Sequence, residues 1–137
     1  MIYPNFPRQS NAADWIDGFQ IIAKDDSRPV WITPPNDIVV TMSVIPDEEC
    51  SSQDYSSSQL DTNAAVITAI ATPSVSDGKL AIYDYGFIGI SIDDSLMSAL
   101  GPERYGIEKR YLVFIKIQVG IFTIQFVVGI LPVIKGA

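Results

Sequence analysis

Isoleucine occurs twenty times and valine eleven in this chain, against six leucines. A side chain branched at Cβ loses χ1 freedom in a helix and packs well on a pleated surface. A chain weighted this way folds as strands. The alternation agrees: Ile38, Val40, Met42 and Val44 share one face, with the more polar Val39, Thr41 and Ser43 opposite. Ile88, Ile90 and Ile92 alternate with small residues in the same way. Turn signals punctuate the chain at Asp25-Asp26-Ser27-Arg28-Pro29, Pro34-Pro35, Asp77-Gly78, Asp84-Tyr85-Gly86 and Val119-Gly120. Strands are expected over 18–24, 37–45, 64–72, 79–83, 87–92, 105–118 and 121–134, with 30–32 a short extended piece. In the last pair, Tyr111, Val113, Ile115 and Ile117 are expected to point one way and Phe122, Ile124, Phe126 and Val128 to form the facing set. One helix of at most two turns is expected near 93–100, capped by Asp93 or Asp94 and stopped by Gly101-Pro102. The class is all-β: a sandwich of seven to eight antiparallel strands.

A length of 137 residues suits one domain with a real core and is short for two. Residues 14–137 form the sandwich. Residues 1–13 hold two prolines and no alternation, and read as an extended N-terminal arm that adds little to the domain's own ladders. No basic segment followed by a long apolar run opens the chain, so no signal peptide is expected. The apolar stretch 111–134 is interrupted by Lys116, Gln118, Thr123 and Gln125. A central lysine costs about 2.5–3.5 kcal/mol on insertion, so a buried hairpin is expected in place of a membrane span.

The available chemistry is thin. Histidine is absent, which removes histidine triads, histidine metal sites and histidine pH switches together. Neither a G-x-S-x-G elbow, an S-x-x-K pair nor a glycine-rich phosphate cradle occurs. Cys50 stands alone among carboxylates that would suppress its thiolate. The loop over 46–63 is acidic and serine-rich; Asp47, Glu48, Glu49 and Asp54 could meet a cation, but the spacing is not an EF-hand and a solvated loop is expected. Asp25/Asp26, Glu48/Glu49 and Asp93/Asp94 are adjacent, so in extended backbone each pair diverges, and a glycosidase pair would have to come from different loops. A net charge of −7 argues against nucleic acid as a partner. The chain reads as no enzyme, with no cofactor and no metal.

Binding is what remains. Tyr3 and Phe6 lie between the arm's prolines; they either pack on the domain's own edge or anchor the arm on a neighbouring subunit. Trp15 and Trp31 flank the first strand, where they close the end of the sandwich or meet a partner. These four are the candidate partner-binding residues. Trp31, Tyr83 and Tyr85 are candidates for a sugar platform. Tyr105 is expected to cover the core while its hydroxyl reaches a backbone group.

The order of these pieces resembles a known family. A strand opens after Asp14-Trp15, and Arg28-Pro29-Val30-Trp31-Ile32-Thr33 leads to the strand at 39–44. After a long loop come Gly86-Phe87-Ile88-Gly89-Ile90-Ser91-Ile92, the short helix, Tyr105-Gly106-Ile107-Glu108, and a hairpin closing with Gly129-Ile130-Leu131-Pro132-Val133. This resembles the small immunoglobulin-like β-sandwich of tailed-phage baseplate upper proteins and tail-fibre adaptor proteins. The family's turn after the first strand usually holds a glycine, replaced here by Ser27-Arg28. The resemblance implies a structural virion component, assembled in the host cytoplasm, that docks fibre or receptor-binding proteins onto a tail, baseplate or portal vertex. Its partners would be other virion proteins and copies of itself, without nucleic acid or membrane. A capsid decoration protein and a carbohydrate-binding module are the alternatives.

Overall fold

Two sheets face each other in the computed structural model, which describes residues 4–23, 26–47 and 65–136. The strands are β1 (Gln9–Ser10), β2 (Trp15–Gln20), β3 (Val39–Pro46), β4 (Ile67–Ala71), β5 (Leu80–Ile82), β6 (Phe87–Ile92), β7 (Glu108–Val119) and β8 (Phe122–Ile134). The larger sheet runs β1-β8-β7-β3-β4 and the smaller β2-β6-β5. The chain changes sheet after β1, β2, β4 and β6. This is the strand order of an immunoglobulin-like sandwich, B-E-D facing C-F-G, with β4 added beside C and the first strand, β1, lying beside G.

The core forms where the two alternating faces meet. Val40, Met42 and Val44 of β3 and Tyr111, Val113 and Ile115 of β7 pack against Leu80, Ile88, Ile90 and Ile92 of the smaller sheet, all fully buried. Serine and glycine between the isoleucines of β6 leave its other face open. The helix α1 (Asp94–Met97) is one turn and plugs the end of the sandwich with Met97. Asp93 is its cap, accepting from the Leu96 N–H.

Several expectations need correction. The strand expected over 18–24 is Trp15–Gln20, the second in chain order. The strands are not all antiparallel, because β1 pairs with β8 in parallel. The arm therefore joins a ladder of its own domain: Phe6 N–H donates to Ile130 O at 2.8 Å, Ile130 N–H to Pro4 O at 2.9 Å, and Asn11 N–H to Ile134 O at 3.0 Å. Proline tolerates this position because the arm is an edge.

Tyr105 does not close the core; it is 66% exposed, with the Lys135 ammonium over its ring. Tyr111 does that work. Its ring is buried and its hydroxyl accepts from Gly101 N–H at 2.7 Å.

The β7–β8 hairpin closes through Gly120, at φ +58°, and Ile121, a two-residue turn with glycine first as a II′ turn requires. Its register shifts between Val113 and Phe114, where Val128 is the extra residue. Beyond that bulge the facing set is not covered: Phe126 and Val128 are half-buried, while Ile124 is 59% and Phe122 72% exposed. The smaller sheet is too narrow to reach them.

The opposite edge of the larger sheet is closed by the 75–79 segment, through main chain, where Ala71 pairs with Ser76 and the Asp77 N–H donates to Ile70 O, and through side chains. Along β4, Asp77 accepts the Ile70 N–H at 3.0 Å and the Lys79 ammonium donates to Thr68 O at 3.3 Å. Polar side chains spent this way occupy backbone groups that would otherwise recruit another strand.

Candidate docking surfaces

The four candidate residues have different fates. Trp15 is fully buried in the core and has no surface to offer a partner. Phe6 is half-buried and meets Trp15 edge-on, ring centres 5.5 Å apart. Its ring also covers Gly129, where a Cβ would stand 2.7 Å from Pro4 O and 3.2 Å from the ring. Phe6 thus anchors the arm to its own domain. Trp31 is half-buried, and its indole N–H donates to Tyr83 O at 2.9 Å, tying the 30–33 segment to the β5–β6 connection. Tyr3 lies outside the described residues, as do Cys50 and most of the 46–63 loop.

Asn11 fastens the end of the arm. Its Nδ2 donates to Leu100 O and Pro102 O, and its Oδ1 accepts from Gly136 N–H at 2.9 Å. One side chain joins the arm, the β6–β7 connection and the C-terminal tail. Arg8 adds an exposed ion pair to Glu108 at 2.9 Å.

The outer face of the smaller sheet was missed by sequence reasoning. Strand pairing sets its outward side chains in three rows. The middle row is Gly18, Gly89 and Ala81, so the floor is nearly bare backbone. Ile16, 75% exposed, stands on one side; Phe87 and Tyr83, 47% and 57% exposed, stand on the other. The Tyr83 ring leans across Gly89, where an added Cβ would come within 2.8 Å of it. The result is a trough of about 540 Å³, apolar on the Phe87 and Tyr83 side and mixed on the other, where Ser91 and Lys79 join Ile16. The signal was present in the small residues between the isoleucines of β6, but only pairing shows that Gly18 and Ala81 extend the same row.

A second apolar surface lies where β8 outruns the smaller sheet. Phe19, Ile22 and Val30 on one side and Ile124, Phe126 and Val128 on the other line a groove of about 920 Å³.

Among the described residues, no three His, Cys, Asp or Glu side chains gather closely enough to hold a metal ion. Asp93 is engaged as a helix cap, and hydrogen bonds from the Ser95 hydroxyl and the Leu96 N–H hold its carboxyl below the usual range. Asp94 lies beside it, its backbone N–H donating to Asp14. The sugar-platform candidates lie in neighbouring segments: the Trp31 indole N–H donates to Tyr83 O and the Tyr85 N–H to Ile32 O, with the Tyr83 and Tyr85 rings exposed and Trp31 half-buried. No helix among the described residues is long and apolar enough to cross a membrane, and the 111–134 stretch is the β7–β8 hairpin. No protein-family model, curated protein or solved structure matches the chain.

Proposed function

We propose that this protein is a non-enzymatic assembly module that docks other proteins on the outer face of its three-stranded sheet. The observation that carries the reading is the trough. An isoleucine, a phenylalanine and a tyrosine stand exposed around a floor of Gly18, Gly89 and Ala81. Large rings beside a small-residue floor suit an inserted side chain, and such anchors supply most of the binding energy at protein interfaces. The resemblance of its sequence to tailed-phage adaptor sandwiches supplies the setting: a structural part of a virion, joining a fibre or receptor-binding protein to the tail, baseplate or portal vertex.

The test is incorporation. Quantitative mass spectrometry of purified particles is expected to find the chain at a copy number near that of a tail or vertex ring. Ile16→Asp and Ala81→Arg change outward positions only, and are expected to leave folding intact while removing the chain from particles. Absence of the wild-type chain from particles defeats the virion setting. Normal incorporation of both variants defeats docking through the trough. Hundreds of copies per particle would replace the adaptor role with capsid decoration.

A further inference from the structure

We propose that the free edge of β8 is a homodimer interface, in which residues 122–126 pair antiparallel with the same residues of a second copy across a two-fold axis at Ile124. This goes beyond the docking reading and uses a different surface.

The edge itself is open. On the side away from β7, β8 is paired only where the arm runs, from Ile130 to Ile134; over 122–128 no described strand lies beside it. In the two-residue hairpin, Val119 and Phe122 form the closing hydrogen-bonded pair, so by alternation Thr123, Gln125 and Val127 aim their backbone groups outward. An open strand edge carrying Phe122, Ile124 and Phe126 is what folded proteins ordinarily cover, and the same sheet does cover its β4 edge.

The sequence of the edge favours itself as partner. Phe122-Thr123-Ile124-Gln125-Phe126 reads with the same character in both directions. Antiparallel pairing about Ile124 sets Phe122 against Phe126, Thr123 against Gln125, and Ile124 against its own copy. The outward backbone groups of Thr123 and Gln125 then meet as a hydrogen-bonded pair, and the two Ile124 residues as a non-hydrogen-bonded one. The phenylalanine rings all lie on the core side. There the second copy's Phe122 falls beside Phe126, in the groove lined by Phe19, Ile22 and Val30.

Length and charge agree. The register puts the second copy's Gly120 opposite Val128, so its hairpin ends one residue before Gly129, where Pro4 begins to cover the edge. No charged side chain occurs from Gly120 to Ile134. Two copies, each carrying −7, repel least through such a stretch.

Sedimentation analysis of the full chain in a Cys50→Ser background tests this. The parent is expected to be a dimer and Ile124→Lys, which places two charges on the axis, a folded monomer. Thr123→Pro, which removes an outward donor and no inward one, is expected to be monomeric too. Ile124→Cys is expected to form a disulfide-linked dimer on oxidation, because non-hydrogen-bonded partners have Cα atoms about 4.5 Å apart, within disulfide reach. Phe122→Cys is expected not to, since its copies lie four residues, about 14 Å, apart along the strands. Ile16→Asp is expected to leave the dimer intact, which separates this interface from the trough. A monomeric parent, as when the 1–3 segment or a foreign strand covers the edge, overturns the proposal. So does a dimer that survives Ile124→Lys, or one that cross-links through Phe122→Cys and not Ile124→Cys.

Discussion

The Tyr111 hydroxyl accepts the Gly101 backbone N–H at 2.7 Å and so fixes the middle of the long β6–β7 connection, just past the helix, to the strand that follows it. Replacing Tyr111 with Phe keeps the buried ring and removes the acceptor. Gly101 is then left with a partly buried donor and no partner. A loss of about 1–3 kcal/mol is expected, the usual cost of such an orphan, read from urea unfolding midpoints at unchanged slope. A Tyr105→Phe change at the exposed ring is expected to leave the midpoint where it is.

Asn11 joins three segments through three hydrogen bonds. Asn11→Ala removes all of them, with an expected cost of roughly 2 kcal/mol. Asn11→Asp keeps the acceptor for Gly136 but replaces the donor to Leu100 O and Pro102 O with a repelling oxygen. It is expected to be at least as harmful as the alanine, in the same thermal unfolding series.

Gly129→Ala would push a Cβ to 2.7 Å from Pro4 O, against backbone that cannot yield as a side-chain tip can. The arm is expected to lift while the sandwich remains. Hydrogen exchange should then speed up at Phe6 and Ile130, whose N–H groups hold the arm, and stay slow in β3 and β7. Deleting residues 1–13 is expected to lower the melting temperature as well, because it strips Phe6 from Trp15 together with the β1–β8 bonds.

Asp93 gives a pH signature. Its carboxyl is depressed first by the Ser95 hydroxyl and then by the Leu96 N–H. The folded value lies below the unfolded one, so its stabilisation is complete above the ordinary value of 3.8 and is lost as pH falls through the lower, folded value. Exchange at the Leu96 amide, corrected for intrinsic rate, is expected to accelerate over that acid range. Asp93→Asn keeps an acceptor without a charge and is expected to flatten the dependence.

The strands that alternate cleanly were legible in the sequence. The 87–92 strand matches β6, and Val40, Met42 and Val44 face the core as read. What failed was non-local. Phe122 and Ile124 alternate as core residues do, yet whether a strand face is covered depends on the width of the sheet opposite, which no local pattern records. Tyr105 and Tyr111 are both tyrosines after the same glycine-proline stop. Tyr105 lies in a turn before β7 begins at Glu108, and only where that strand starts decides which tyrosine meets the core. The arm has no period to read, so its parallel pairing could not be derived from spacing. The trough was hidden for a related reason: its floor is made by three strands, each contributing one small residue.

The closed β4 edge has a consequence for how this protein can aggregate. Aggregates that grow strand by strand need a donor side and an acceptor side on every subunit. Here Asp77 and Lys79 occupy one side of the five-stranded sheet. A molecule with a single addable side can join one neighbour through that sheet and then has nothing left to extend, so the sheet terminates after one step, where a doubly open one would polymerise.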